Sequence, residues 1–374
     1  MTKQVTLPNP DTVAMNILSL TAISGELPAT QLVRIDGGES YKQRVVTKLK
    51  KQGLLLTYYR DGLRSYRLTS KAKQLLIEQN GCRFGFALSG YSETNRRRHD
   101  ELHRLRLHRI AEATVTMNNT GVSIYRDEKP DLFTADFEAG DVTEITYPAF
   151  YNSREIKEMG TALVKIKGGR AVGVLLTKND VFITYNLGDS LMRWEYKSEM
   201  RTRALMRSTL TVDRLPHQYA PEDIHGLILA NNMDLCYDIL LGAGGKQYFV
   251  LDGNYDNFYY LTNDHKGERI LAMLCSRTLN KELEDLLKRD MYEPEPSLGF
   301  EHDAFEEDDT PVLFGYFCDL PRIKRFDTAM NLKNMKGKII CFDFQKPTLA
   351  KYCGDNITIQ AIDFNKWERR FFED

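Results

Sequence analysis

Three residues in the middle of the chain have the types and order used in metal-dependent hydrolysis of phosphodiesters. Asp131 follows Pro130, and Glu155-Ile156-Lys157 comes after a gap. In such sites two carboxylates hold Mg²⁺, and a lysine steadies the attacking water or the scissile phosphate. Asp131, Glu155 and Lys157 are therefore the candidate catalytic residues, and Mg²⁺ is the one cofactor that this interpretation requires.

A structural role fits the same residues. Glu195-Tyr196-Lys197 repeats the Glu-x-Lys pattern by chance. In addition, Glu155 follows Asn152-Ser153, which is typical of the cap and first turn of a helix, whereas a nuclease carries this glutamate on a strand. We therefore leave catalysis open and favour a chain that is not an enzyme, with these acids in turns and on the surface and no bound cofactor.

A second kind of chemistry is indicated by the basic stretch over residues 40–76. At about 100° per residue, a helix here places Tyr41, Val45 and Leu49 along one apolar stripe and collects polar and basic residues on the opposite face. Such a face offers hydrogen-bond donors to base edges and positive charge to phosphates. The candidate contacts are Gln43, Arg44 and Thr47 for bases, and Lys50, Lys51, Arg60 and Arg64 for phosphates.

The elements that would position these side chains form a winged helix-turn-helix over residues 10–80. In this arrangement the third helix enters the major groove of DNA, and a β-hairpin forms the wing. Asp61-Gly62 predicts the turn of that hairpin, because this dipeptide tolerates positive φ angles. The predicted helices are a first one capped by Asp11 and ended by Gly25, a second from Pro28 to Gly37-Gly38, a third capped by Ser40, and a closing one over residues 71–79.

Residues 81–120 are predicted to form a basic connector, with one helix from Arg96 to about Met117 and Leu102 among its packing residues. His99 and His103 are four residues apart, as two metal ligands on one helix face would be. No third ligand is indicated and arginines surround the pair, so we expect no metal. The arginines that begin this helix are candidate contacts to the nucleic-acid backbone: Arg96, Arg97 and Arg98.

The charge of the chain is divided between its two ends. Residues 1–120 hold 19 Lys and Arg against 10 Asp and Glu, a balance of +9, whereas residues 121–374 hold 32 against 42, a balance of −10. A basic module points to an anionic partner, and we expect double-stranded DNA. We expect a cytoplasmic location without membrane association, because no apolar run approaches the roughly 20 residues that span a bilayer and the first residues lack a signal peptide.

The rest of the chain completes an α+β multidomain fold. Short β-type runs separated by turns predict a β-rich segment over residues 121–215. Residues 216–374 alternate strands with helices, which predicts an α/β region with a partly parallel sheet. Within it, Gly242-Ala243-Gly244-Gly245 is predicted to be a helix C-cap and turn, and a long helix over residues 266–288 is the candidate surface for a homodimer.

The predicted winged helix is followed by the segments RRRHDELHRLRLHRIAEA, EKPDLF, PAFYNSREIK and RAVGVLLTKNDVFITYN, with a Trp-x-x-x-Ser-Glu pattern from Trp194 to Glu199. Together these features resemble the replication-relaxation family of plasmids and integrative conjugative elements. The resemblance covers about residues 10–210. It implies a DNA-associated role in replication or transfer of a mobile element, and a nuclease-like body over residues 121–215, in which some relatives have a PD…ExK arrangement.

The leading expectation is a DNA-binding protein of a mobile genetic element. It would act at an origin in plasmid replication or conjugative transfer, bind duplex DNA by its winged helix, and recruit transfer or replication proteins. Two alternatives stay open. One is a Mg²⁺-dependent nickase or relaxase-like nuclease that uses Asp131, Glu155 and Lys157, and the other is a transcriptional regulator with a ligand-sensing body.

Overall fold

The computed structural model describes residues 5–89, 100–138, 142, 144–159, 169–243, 245, 248, 251, 255–292 and 299–373. Helices and strands are interspersed along this part of the chain, which confirms the predicted mixed α+β class. The chain divides into two compact units. The first consists of Met1–Lys165 with Val172–Leu175, and the second of Ile166–Ala171 with Leu176–Asp374.

The first unit is built around a buried helix, α1 (Val13–Ser24). Thr12 caps this helix, since its hydroxyl oxygen accepts a hydrogen bond from Met15 N at 3.2 Å, and Gly25 ends it at a positive φ of 85°. The predicted cap, Asp11, lies one residue outside. The elements that follow are β1 (Leu27–Pro28), a 3₁₀ helix (Ala29–Arg34), α2 (Glu39–Lys51), β2 (Leu55–Arg60), β3 (Leu63–Leu68), α3 (Ser70–Gln79), α4 (Gly81–Leu88), α5 (Glu101–Asn119), β4 (Ala149–Asn152), α6 (Ser153–Ile156) and β5 (Gly173–Leu176).

Strands β2 and β3 form the hairpin that the Asp-Gly dipeptide predicts. They pair antiparallel in a register that ends with Arg60 opposite Leu63. Asp61 and Gly62 fill the turn at φ angles of 53° and 75°. Both values lie in the left-handed region that a type I′ turn requires, so the predicted hairpin is confirmed. Strand β1 pairs with β3 on the side away from β2.

Helix α2 turns its apolar stripe inward, as predicted, but the structure differs from the prediction at two residues of its first turns. It begins at Glu39 after Gly38, so Ser40 lies in its first turn and is not its cap. Tyr41, predicted to be in the core, is 48% exposed, and Lys42 is buried instead. At about 100° per residue, Lys42 falls in the centre of the stripe, whereas Tyr41 falls at its margin.

Helix α5 is mostly buried, although its sequence is rich in arginine. Asp100 caps it by accepting a hydrogen bond from His103 N at 2.8 Å. The predicted packing of Leu102 is wrong, because this side chain is 78% exposed, whereas Arg104 is fully buried. The helix packs along α1, so α5 belongs to the core of the first unit. Residues 96–99, predicted to begin this helix, lie outside the described residues.

The second unit contains two sets of parallel strands, which confirms the predicted partly parallel sheet. In one set β6, β7 and β8 are parallel. The sequence analysis placed the boundary between the β-rich segment and the α/β region at residues 215 and 216, which lie between β6 and β7 of this set. In the other, β10, β11 and β12 are parallel and β9 is antiparallel. The elements are β6 (Val181–Gly188), α7 (Tyr196–Ser208), β7 (Ile224–Ala230), α8 (Asp234–Leu241), β8 (Phe258–Thr262), α9 (His265–Leu274), α10 (Arg277–Leu287), β9 (Ala304–Phe305), β10 (Pro311–Phe314), α11 (Leu320–Lys333), β11 (Gly337–Phe342), α12 (Lys346–Tyr352), β12 (Ile357–Ile362) and α13 (Phe364–Phe372).

The prediction of one long helix over residues 266–288 is wrong, because the chain forms two helices there. Helix α9 ends before Cys275, and the Ser276 side chain caps α10 by accepting a hydrogen bond from Leu279 N at 3.4 Å. Gly242 ends α8 at a φ of 68°, so the predicted C-cap is confirmed. Among the helices of the described residues, none combines the length and the apolar character that crossing a membrane requires.

Candidate nucleic-acid interface

The outer face of α2 carries the polar and basic side chains that its periodicity predicts. All five of the α2 candidates are exposed: Gln43, Arg44, Thr47, Lys50 and Lys51. A shallow depression on this face is lined by four of them together with Lys48. The sequence analysis missed Lys48, although its position one turn after Arg44 could have indicated it.

Two side chains on this face are pre-ordered against the helix backbone. The Thr47 hydroxyl donates to the Gln43 carbonyl at 2.9 Å, and Arg44 Nε donates to the Ser40 carbonyl at 3.3 Å. Within the described part of the chain, no group accepts a hydrogen bond from the terminal nitrogens of Arg44. The face therefore offers a guanidinium fork, an amide and a hydroxyl, which are the groups that contact base edges in the major groove.

The tip of the β2–β3 hairpin presents a second group of side chains. Tyr59 is 70% exposed, and its cross-strand partner Arg64 is exposed beside it on the same face. Arg60 lies on the other face and forms an exposed ion pair with Asp61 at 3.3 Å. Since exposed ion pairs contribute little free energy, this pair leaves Arg60 able to bind a phosphate. The sequence analysis missed Tyr59, because tyrosine in a strand pattern more often signals burial.

Helix α2 and the hairpin concentrate positive charge on one surface. Residues 39–68 contain eight Lys and Arg and only two acids, Glu39 and Asp61. Lys42 and Arg67 are buried. The other six cations are exposed, and they are Arg44, Lys48, Lys50, Lys51, Arg60 and Arg64.

Lys42 fixes α2 against the preceding 3₁₀ helix. It is 3% exposed, and its ammonium group donates to the carbonyls of Val33 at 2.9 Å and Ile35 at 2.6 Å. Both carbonyls belong to the end of the short helix that precedes α2. A buried ammonium group is tolerated only where hydrogen bonds replace its hydration. Lys42 can therefore stay buried only while the 3₁₀ helix keeps these two carbonyls beside α2, and this requirement fixes the angle between the two helices.

A buried carboxylate, Glu26, fixes the hairpin against α5. Arg67 of β3 donates to Glu26 Oε2 from Nε at 3.0 Å and from Nη2 at 2.6 Å. Arg104 of α5 donates to Glu26 Oε1 from Nε at 2.9 Å and from Nη2 at 2.6 Å. The same oxygen accepts from the Ser65 hydroxyl at 2.5 Å and lies 3.0 Å from His108 Nε2. We call these five residues the Glu26 cluster.

The Glu26 cluster is ionised at its centre. Burial by itself raises the pKa of Glu26, but hydrogen bonds from His108, Arg104, Ser65 and Arg67 outweigh burial and hold this pKa well below its usual value. The Tyr58 ring lies against both guanidinium groups, with its centroid 3.7 Å from Arg67 Cζ and 4.5 Å from Arg104 Cζ. One carboxylate and one aromatic face thus compensate two buried arginines.

Glu155, the second of the predicted catalytic residues, belongs to a helix cap. Asn152 N donates to Glu155 Oε2 at 2.8 Å, and Asn152 Oδ1 accepts from Glu155 N at 3.3 Å, which is a capping box at the start of α6. The other carboxylate oxygen lies 2.9 Å from Lys129 Nζ. The predicted helix cap is confirmed, and Glu155 is not on a strand.

Asp131 is also held by a cation. Both of its carboxylate oxygens accept from Arg126 Nη2, at 2.7 and 2.6 Å. Lys129 is buried, and it is attracted by the charges of both Glu155 and Asp131. The Lys129 ammonium group therefore already supplies, beside these two carboxylates, the positive charge that a bound Mg²⁺ would otherwise supply. In the described residues, no group of three His, Cys, Asp or Glu side chains is placed as metal ligands would be.

Lys157 lies among other cations and not beside the two acids. Lys157 is exposed at the surface, yet partial loss of water around its ammonium group, together with the charges of Arg106 and Arg154, lowers the pKa of Lys157. The structure therefore does not bring Asp131, Glu155 and Lys157 together as two metal ligands and a lysine. These residues do not fit a Mg²⁺ site in this arrangement, and no catalytic step follows from them.

We expect supercoiled plasmid to stay supercoiled when it is incubated with the full chain and Mg²⁺, because Glu155 is held in a capping box and by Lys129 and so is not placed beside Asp131 as a second metal ligand. Agarose gel electrophoresis measures this. The Asp131→Ala chain is the control for any trace of nicking. Conversion of the plasmid to open circles by the unmodified chain, abolished in Asp131→Ala, would restore the nickase interpretation.

The three arginines predicted to contact DNA ahead of α5, Arg96, Arg97 and Arg98, lie outside the described residues. The candidate interface that the structure describes consists of the outer face of α2 and the tip of the β2–β3 hairpin, both within the first unit. Comparisons of the chain with family models, with curated proteins and with solved structures give no match.

Proposed function

We propose that this chain binds double-stranded DNA through a winged helix-turn-helix made of α1, the 3₁₀ helix, α2 and the β2–β3 hairpin. The observation that supports this most is the grouping of six exposed cations on the outer face of α2 and on the hairpin, around Gln43 and Thr47. A solvated protein surface gains nothing from such like charges, whereas a polyanion does.

In this proposal α2 enters the major groove. A helix of 13 residues is about 20 Å long, and the major groove is about 12 Å wide, so it admits one helix with its side chains. Arg44 is suited to the O6 and N7 acceptors of guanine, and Gln43 to adenine. Lys50 and Lys51, at the end of the helix, take phosphates.

The hairpin takes phosphates beside the groove that α2 occupies. Arg60 and Arg64 stand on opposite faces of the tip, so together they can contact the backbone on both sides of the turn. The exposed ring of Tyr59 adds a flat apolar surface next to Arg64, suited to packing against a sugar.

The setting we propose for this activity is a mobile genetic element. The chain would bind near an origin of plasmid replication or conjugative transfer and recruit transfer or replication proteins, without itself cutting DNA. The resemblance of residues 10–210 to the replication-relaxation family supports this setting. The ion pairs that hold Asp131 and Glu155 support a non-catalytic role.

The experiment that tests DNA binding is a fluorescence anisotropy titration of a labelled duplex at several salt concentrations. If Lys50, Lys51, Arg60 and Arg64 each neutralise one phosphate, the logarithm of the association constant should fall with the logarithm of salt with a slope of about −3.6. Contacts by other cations would make this slope steeper. Absence of binding, or binding that salt does not weaken, would refute the proposal.

A transcriptional regulator is the second candidate, and a cleft of about 620 Å³ favours it, although the cleft lies beside α1 in the first unit and not in the ligand-sensing body that the sequence suggested. The cleft lies between the start of α1, the loop at Asp36 that leads into α2, and Asn80 at the junction of α3 and α4. Its lining includes Asp11, Asn16 and Tyr125. A small molecule bound there would contact the loop that leads into α2. A nuclease-protection footprint next to the chain's own gene, and not at an origin, would support this candidate.

A further inference from the structure

Arg104 holds both strands of the hairpin at its turn. Its Nη1 donates to the Arg60 carbonyl at 2.5 Å, and its Nη2 donates to the Leu63 carbonyl at 3.0 Å. These two residues are the last of β2 and the first of β3, and they face each other across Asp61-Gly62. One guanidinium group on α5 therefore bridges the two strand ends that carry the tip.

The guanidinium group of Arg104 is itself held in place. It donates to Glu26 from Nε and Nη2, and Glu26 is bonded in turn to Arg67 and Ser65 of β3. The Tyr58 ring of β2 packs against it. Arg104 has no exposed surface, so it cannot touch DNA directly. Any influence on DNA has to pass through the position of the hairpin.

The tip needs such support. A two-stranded hairpin is only marginally stable by itself in water, and a tip that moves freely must be ordered when it binds. β1 pairs with β3 only at Tyr66 and Ser65, which are not at the turn. At the turn itself, Arg104 donates hydrogen bonds to the carbonyls of the two residues that flank Asp61-Gly62.

We propose that Arg104 is a positioning residue for the DNA contact: it clamps the turn of the hairpin to α5 and so holds the Arg60 and Arg64 side chains where the DNA phosphates lie. This role rests on the proposed function. Arg104 thus takes part in DNA binding although it is fully buried on α5 and cannot contact DNA itself. It also makes α5 part of the DNA-binding module and not a separate connector.

The test is a double-mutant cycle in the full chain, read by anisotropy with a labelled duplex. Arg104→Met keeps a long apolar stem in the place of the arginine methylene groups and removes the guanidinium group. Arg60→Gln with Arg64→Gln removes the contacts that the clamp is proposed to hold. We expect Arg104→Met alone to weaken binding about tenfold, because the tip must then be ordered on binding. In the chain that already carries both glutamines, we expect Arg104→Met to have no further effect.

Hydrogen exchange without DNA gives a second readout. We expect Arg104→Met to speed exchange of the amides of residues 58–65 and to leave the amides of α2 as protected as before. Arg83→Met is the matched control in the same unit, since Arg83 also pairs with two acids, Asp127 and Glu128, and lies over a tyrosine ring, that of Tyr125. We expect Arg83→Met to leave DNA affinity unchanged.

The outcomes separate this role from the proposed function. Absence of DNA binding by the unmodified chain overturns both. Binding by the unmodified chain, with the Arg104 and the Arg60/Arg64 effects multiplying in the combined variant, overturns the positioning role alone. If Arg104→Met fails to fold, Arg104→Lys replaces it, because lysine keeps a charge beside Glu26 but cannot donate to two carbonyls and a carboxylate in one plane. The same cycle with lysine then decides.

Discussion

Replacing Arg44 and Lys51 together by glutamate should weaken duplex binding by at least about 100-fold at physiological salt. The two residues are seven apart on α2, which returns a helix to within about 20° of the same direction. Both are exposed. Each replacement removes a favourable contact and also places a negative charge next to a phosphate, so the double change costs more than loss of two contacts.

The measurement is the anisotropy titration with the full chain, at one fixed salt concentration. The matched control reverses two exposed basic residues one turn apart on another helix, Arg277 and Lys281 of α10. We expect this control to bind like the unmodified chain, because neither residue is among the candidate DNA contacts. The two variants have the same net charge, so a difference in affinity between them reflects the position of the changes. An equal loss of affinity in both variants would mean that overall charge, and not the face of α2, determines binding.

The part of this interface that could be predicted from the sequence is the part encoded locally. The 3.6-residue period separates the buried Val45 and Leu49 from the exposed Arg44 and Thr47, and that separation requires no knowledge of distant residues. The hairpin turn is equally local, because Asp61-Gly62 accepts positive φ at both positions. Both predictions depend on neighbours within a few residues.

The parts that could not be predicted depend on pairings over long distances in the chain. Arg104 lies in an arginine-rich run that suggests a solvated or DNA-bound helix, yet its carboxylate partner Glu26 is 78 residues away. Lys42 behaves similarly, since its burial depends on two backbone carbonyls that only the folded 3₁₀ helix presents. A sequence pattern records the residue type at a position, but not whether a distant group will replace its hydration.

The nuclease-like spacing illustrates a second limit. Asp131, Glu155 and Lys157 have suitable types and order, but a spacing says nothing about competing partners. The Lys129 ammonium group lies 2.9 Å from Glu155 and acts as its counter-cation. In the sequence Lys129 is only a single lysine before Pro130-Asp131, and nothing there indicates that it pairs with Glu155. The capping box of Asn152 was accessible from the sequence because it, again, is local.

Glu26→Gln should destabilise the first unit by about 3 to 5 kcal/mol near neutral pH, because it leaves two buried guanidinium groups without their carboxylate. Arg67 and Arg104 are 5% and 0% exposed, so water cannot replace the lost charge. The measurement is hydrogen exchange in urea for the amides of β3 and α5, which reports on the first unit alone in the full chain. Glu78→Gln, an exposed change on α3, is the control and should leave this exchange unchanged.

The difference in stability between the unmodified chain and Glu26→Gln should depend on pH in one direction only. The hydrogen bonds of the cluster hold the pKa of Glu26 below its usual value, so in acid the unfolded chain takes up a proton that the folded chain does not. The stabilisation is therefore complete above the pKa of an unfolded glutamate, about 4.3, and is lost by about 1.4 kcal/mol per pH unit as the pH falls below it. The unmodified chain should approach the Glu26→Gln chain in stability between about pH 4 and pH 2, whereas Glu78→Gln should follow the unmodified chain throughout. A difference that stays constant or widens in acid would mean that Glu26 is not the charged centre of this cluster.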